Sequence, residues 1–155
     1  MAENKKSRVW AGREILTEED ANKMAFRFLS RSENVALARL LAAAVVAEKD
    51  TTIAELDEIK VAVSEAVSNA IIHGYKNDPQ KYVEMSIGLN RTELCISIHD
   101  EGVGIADIEQ AMRPSFSTEG RMGLGFAFMQ SFMDDVDVSS LPGSGTTVTM
   151  RKKLA

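Results

Sequence analysis

Near Gly74 the apolar residues of this 155-residue chain change their period, and that change limits the folds open to it. Between Thr52 and Gly74 they return every three or four residues. Ile59, Val63, Ala66, Val67, Ala70 and Ile71 would line one side of a helix. From Val83 they return every second residue: Val83, Met85, Ile87 and Leu89, and then, past Asn90-Arg91-Thr92, Leu94, Ile96 and Ile98. Period two marks half-buried strands, and the two runs read as an antiparallel hairpin. A helix stripe and a one-sided sheet each need a partner surface, and the economical solution is to bury one on the other.

The flanking segments extend the pattern. Met24, Phe26 and Phe28 alternate and read as a short strand. Ser30-Arg31-Ser32-Glu33 reads as a capping box that opens a first helix, with Val35, Leu37, Leu40, Leu41, Ala44 and Val45, ending near Lys49. Thr52-Ile53-Ala54-Glu55 is a second capping box, opening the long helix, which Gly74 would terminate as the residue just past its end. Asp107–Met112 reads as a short helix stopped by Pro114, 115–123 as a polar loop, and Gly125–Met133 as an apolar helix. Val136–Ser140 and Thr146–Lys152 form a last hairpin through Leu141-Pro142-Gly143-Ser144-Gly145. The sum is an α+β fold, a two-layer α/β sandwich with helices on one face of a mostly antiparallel sheet. Residues 1–23, polar and mixed in charge with a lone Trp10, read as an N-terminal extension; Thr17-Glu18-Glu19-Asp20 could open a helical turn within it.

Composition removes several function classes. The net charge is −5, and the basic clusters Lys5-Lys6-Ser7-Arg8 and Arg151-Lys152-Lys153 are short and terminal, so no nucleic-acid footprint is expected. One cysteine, Cys95, allows no internal disulfide, and its place in an alternating run makes it a packing residue. The longest apolar run, Leu40 to Ala47, is too short to cross a bilayer. No signal peptide is apparent, so a cytoplasmic location is expected.

Three polar groups interrupt this apolar framework. Glu65 and Asn69 are four apart on the long helix and so share a face. They could be a hydrogen-bonded surface pair, or an oxygen-bearing pair suited to Mg²⁺, a hard cation that takes few protein ligands alongside substrate phosphates. Asp100-x-Gly102-x-Gly104 follows a strand directly. It could be an ordinary turn, or an aspartate accepting from an exocyclic amine, with glycines that let the backbone approach a flat ring. Gly123-Leu124-Gly125-Phe126 stands where the polar loop meets a helix, a setting that offers backbone N–H groups to phosphate. It is neither a Walker A loop nor a Rossmann fingerprint.

Taken in order, these groups resemble the N, G1 and G2 boxes of the histidine-kinase/Hsp90-type ATPase superfamily, and Gly145-Thr146-Thr147 resembles its final nucleotide-contacting motif. Glu58-Ile59-Lys60, the run Ser64–Tyr75 and Phe132-Met133-Asp134-Asp135-Val136 are similar to the anti-sigma factor serine kinases within it, those of sporulation in particular. The likeness runs from about Phe26 to Leu154 and implies a GHKL-type ATPase domain over 24–155. It implies ATP and Mg²⁺ as cofactors, with Asn69 as metal ligand and Glu65 as the base that takes a serine proton. Asp100 would hold the adenine amino group with Gly102, Gly104 and Thr147 nearby. Gly123, Leu124, Gly125 and Phe126 would form the phosphate lid. Arg121 would serve phosphoryl transfer and contact the partner, and Arg39 would lie on the sigma-binding surface. The implied partners are a sigma factor, an anti-anti-sigma protein phosphorylated on serine, and a second copy in a homodimer. The lid is shorter than the family's, and Gly120 stands where an acidic residue precedes the arginine. Two further readings stay open, a general-stress counterpart with the same chemistry and a nucleotide-binding module without kinase activity. His73 and His99 match no phosphorylated-histidine motif, and a sensor kinase, which pairs such a domain with separate dimerisation helices, is not expected.

Overall fold

A computed structural model describes residues 22–113 and 120–154. The expectations for Trp10, for the turn at Thr17–Asp20 and for Pro114 lie outside the described residues. Element order is β1 (Asn22–Leu29), α1 (Glu33–Val46), α2 (Ile53–Asn69) continuing into a π-turn (Ala70–Gly74), β2 (Tyr82–Leu89), β3 (Glu93–Asp100), α3 (Ile108–Ala111), α4 (Gly120–Phe132), β4 (Asp135–Leu141) and β5 (Gly145–Lys153). The strands form one antiparallel sheet in the order β1-β2-β3-β5-β4. The expected two-layer architecture is what forms.

Register shows why the helices sit on one face. Phe26 pairs with Met85, Met85 with Ile98 and Ile98 with Val148, while Ile87 pairs with Ile96 and Ile96 with Met150. Directly paired residues point the same way, so these side chains make one apolar floor. Ile59, Val63, Ala66 and Val67 of α2 and Phe126, Met129 and Met133 near α4 complete the core above it. α2 lies between α1 and α4 and contacts both. Each large apolar side chain buried this way contributes roughly 1.5–3 kcal/mol. Lys152 of β5 ties the layers at one corner, its Nζ donating to Phe132 O (2.7 Å) at the end of α4 and to Glu58 Oε2 (3.1 Å) on α2.

Local capping rules hold at one helix and fail at another. The Thr52 box forms in both directions: Glu55 N–H donates to Thr52 Oγ1 (3.1 Å) and Thr52 N–H to Glu55 Oε2 (2.8 Å). The Ser30 box does not form. Ser30 N–H donates to Lys81 O (2.8 Å), which keeps Ser30 in line with the strand ladder, and its buried Oγ has no partner. Helix α1 starts at Glu33 behind Ser32, which makes no side-chain cap. Gly74 is not the left-handed residue past the helix end; Lys76 (φ 52°) and Asn77 (φ 63°) take that conformation. Helix α4 begins five residues before the expected Gly125, so 120–123 are helical rather than loop, and 115–119 fall outside the described residues. Among the described residues no helix is long and apolar enough to cross a membrane.

Candidate functional site

The inward face of β3 reads Leu94, Ile96, Ile98 and then Asp100. Strand alternation carries the carboxylate to the next inward position, at the rim of the core, where it is 4% exposed. Its Oδ1 accepts Gly102 N–H at 2.9 Å. Burial pushes Asp100 up to about 6, against the opposing pull of the Gly102 N–H, the His99 charge and the Thr146 N–H. Gly74 is glycine for reasons of space: a Cβ there would stand 2.5 Å from Asp100 Oδ1.

The loop after Asp100 is clamped from two sides. Val103 N–H donates to Gly74 O (3.0 Å) at the end of the π-turn, and Gly143 N–H of the last hairpin donates to Val103 O (2.7 Å). Gly104 has φ +74°, and a Cβ on it would stand 2.1 Å from Leu141 O. Both the conformation and a backbone atom therefore exclude a side chain. Gly104→Ala is expected to destabilise the fold by roughly 2–4 kcal/mol in urea unfolding, since strain and clash act together. Unchanged stability would mean that the hairpin yields easily.

Glu65 and Asn69 share one face of α2, as their spacing requires, and that face looks at α4. A Cβ on Gly125 would stand 2.9 Å from Glu65 Oε2, 3.3 Å from Asn69 Nδ2 and 3.4 Å from Asn69 Oδ1. Glycine at 125 lets α4 lie directly against the two polar side chains. Burial raises the pKa of Glu65 above the usual carboxylate value. Asn69 Nδ2 is buried without a hydrogen-bond partner. A buried amide left unpaired is costly, so it marks a place built to meet something polar.

Between these groups lies a narrow cavity of about 30 Å³, bounded by Asn69, His73, Asp100, Gly104, Thr146, Met122 and Phe126 among others. A site for a drug-sized ligand usually measures about 300–1,000 Å³. With α4 in this position the cavity is too small for a nucleotide.

The structure gathers Glu65, Asn69, Asp100, Gly102, Gly104, Gly125 and Phe126 around one centre. Others it places differently. Thr147 faces the opposite side of the sheet, where Oγ1 meets His99 Nδ1 at 2.8 Å; alternation gives the inward position to Thr146. Leu124 is 47% exposed and does not line the cavity, and Phe126 is a core residue at its edge. Gly123 and Gly125 lie inside α4, not at its start. In a helix that begins at Gly120 the Gly123 N–H is the first intrahelical donor, so only the N–H groups before it are unpaired and neither Gly123 nor Gly125 has one to offer phosphate. Arg121 falls in that first turn, and its side chain lies outside the described residues. Arg39 is exposed on α1 between the exposed Leu37 and Leu40, away from the cavity. Thr146 and His73 also line the cavity, and neither was expected there from the sequence. Only Thr146 had a signal, its place in Gly145-Thr146-Thr147.

The histidine kinase-like ATPase domain family matches residues 28–152. The chain belongs to that family. As a histidine kinase-like ATPase domain it is an ATP-binding module. An anti-sigma F factor of Geobacillus kaustophilus is 49% identical over 137 residues, 86% of this chain and 94% of that protein. One of Clostridium beijerinckii is 47% identical over 135 residues, 85% of this chain and 94% of that protein. Within the ATPase family, the chain belongs with the anti-sigma F factors. The fold also matches a Mycobacterium tuberculosis structure of RsbU and RsbW domains, with a TM-score of 0.62 at 18% identity. That match covers 86% of this chain and 32% of the other. A histidine kinase domain of Erythrobacter litoralis matches with a TM-score of 0.53 at 19% identity.

Proposed function

We propose that this chain is a cytoplasmic anti-sigma factor of the sporulation type that uses ATP and Mg²⁺ to phosphorylate a serine of its anti-anti-sigma antagonist. The observation that carries the reading is the placement of Glu65 beside Asn69 against Gly125, with the unpartnered Asn69 amide lining the same cavity as Asp100. Asp100 accepts a hydrogen bond from the adenine amino group. Glu65, its basicity raised by burial, takes the proton from the serine hydroxyl as the serine Oγ–P bond forms and the bond from the γ-phosphorus to the bridging oxygen breaks, releasing ADP.

The donor set fits Mg²⁺ in the manner of nucleotide enzymes. Among the described residues no group of three or more His, Cys, Asp or Glu could hold a metal ion. A cation held by one side-chain oxygen and substrate phosphates needs no such cage, and the Asn69 amide supplies that oxygen. When bound, Mg²⁺ neutralises charge on the β- and γ-phosphates. Arg121 adds a second positive charge and contacts the partner. The first turn of α4, ahead of Gly123, supplies N–H groups for phosphate.

The partner surfaces lie elsewhere. On α1, Arg39 stands between exposed Leu37 and Leu40, a mixed charged and apolar strip suited to a sigma factor. Edge strand β1 and α1 border a groove containing Met24, Phe26, Leu41 and Val45, which supports a homodimer through this end of the sheet.

The test is transfer of labelled γ-phosphate from ATP to the cognate anti-anti-sigma protein, with wild type and Asn69→Ala compared. Serine labelling is expected in wild type, with a loss of about a hundredfold or more in Asn69→Ala. Wild-type protein that binds ATP and captures the sigma factor but labels no serine would leave a nucleotide-dependent binding module in place of a kinase.

A further inference from the structure

Ser140, on edge strand β4, carries no charge and lies outside the cavity, yet its hydroxyl is fully used. Its Oγ accepts the N–H of Ile105 at 2.7 Å, donates to Gly145 O at 3.0 Å and lies 2.8 Å from Thr146 Oγ1. A serine hydroxyl has one proton to give and two lone pairs to receive with. With that proton on Gly145 O, the proton shared with Thr146 comes from Thr146. The Thr146 hydroxyl is then spent toward Ser140, and what it presents to the cavity is a lone pair. Across the β3–β5 pair stands Asp100, directly opposite Thr146, and its carboxylate also only accepts.

We propose that Ser140 is a specificity-determining residue for the purine base, acting by holding Thr146 as a hydrogen-bond acceptor beside Asp100. The inference rests on the reading of Asp100 as the adenine-binding group. Adenine carries an amine at C6, a donor, and two acceptors face it. Guanine carries a carbonyl oxygen at that position, and the same two acceptors repel it. Ser140 also keeps the loop at Ile105 in place, so the acceptors hold a fixed distance from the ring.

Without the Ser140 hydroxyl, Thr146 is free to rotate and donate to a guanine carbonyl. Ser140→Ala is therefore expected to lower the ratio of ATP to GTP affinity by about tenfold, with part of the change a gain in GTP binding. Ser140→Thr keeps the hydroxyl and should restore the wild-type ratio. The measurement is titration calorimetry of the full chain with ATP and with GTP, alongside melting temperatures of the nucleotide-free protein. A merely structural serine would weaken both nucleotides equally and lower the melting temperature; that outcome overturns the proposal. Asp100→Asn is the reference arm. If it leaves the ATP preference intact, the base-site reading itself fails. If it abolishes the preference while Ser140→Ala keeps it, the base site stands and the role of Ser140 falls.

Discussion

Asp100→Asn is expected to make the nucleotide-free protein more stable and to remove most of its ATP binding. The two effects share one cause. Asp100 is 4% exposed, and burial holds its carboxyl at about 6, well above the ordinary 3.8. At neutral pH the folded protein therefore keeps a carboxylate ionised in a place that disfavours its charge. A difference of about two pKa units corresponds to up to about 3 kcal/mol. Asparagine has no charge to bury and retains an oxygen for the Gly102 N–H, so most of that cost is relieved. It loses the charged acceptor that the adenine amine needs and can turn a competing donor toward it. A hydrogen bond to a charged group is worth about 1.5–3 kcal/mol, so affinity should fall by roughly 10- to 150-fold. Thermal melting at pH 7.5 and ATP titration check the pair. A variant that binds ATP normally would remove Asp100 from the base site.

The pH dependence separates this account from a packing effect. Because the folded value is raised, the proton on Asp100 stabilises the fold fully below about pH 4, and that contribution is lost as pH rises through about 6. The melting advantage of Asp100→Asn should be present at pH 7.5 and gone near pH 4. ATP affinity of the wild type should run the other way and decline as pH drops below 6. A melting advantage that is the same at both pH values would point to shape instead of charge.

What the sequence made legible follows from how far away each partner lies. The Thr52–Glu55 box is contained in four residues, and it forms as read. The same motif at Ser30 fails because Lys81, in the turn before β2, has already taken its N–H. Gly74 sits at a helix end, as a helix-terminating glycine should, but Asp100, 26 residues on, is what excludes a side chain there. Period two predicted the strands and the inward floor correctly. It could not say which of Thr146 and Thr147 faces in, because that parity is set by pairing with His99 and Asp100. Two glycines near the start of α4 spoke for a loop, since glycine weakens helices. The close passage over Glu65 and Asn69 outweighs that local preference, and only the packed structure contains it. Ser140 gave no signal, because either of the adjacent Ser139 and Ser140 in an edge strand is ordinary until its three neighbours are known.

Glu65→Gln should separate binding from chemistry. Glutamine has the size of glutamate and can occupy the same place against Gly125, so α2 and α4 should pack as before. ATP affinity is expected to stay within about threefold of wild type, because Glu65 is asked to hold a proton and not the nucleotide. Serine phosphorylation is expected to fall by about 10²–10⁴-fold, the usual contribution of a positioned general base. The raised pKa of Glu65 adds a second signature. Transfer by the wild type should weaken as pH falls toward that value, because the base becomes protonated, while the residual rate of Glu65→Gln should not follow this titration. Since Asp100 titrates near 6, the rates must be taken at saturating ATP, where weaker base binding no longer limits them. Single-turnover transfer to the anti-anti-sigma protein across pH 5–8 provides the comparison. If Glu65→Gln transfers at the wild-type rate, Glu65 is not the base and its contact with Gly125 is a matter of packing. If transfer falls together with ATP affinity, Glu65 holds the nucleotide and the proton acceptor lies elsewhere.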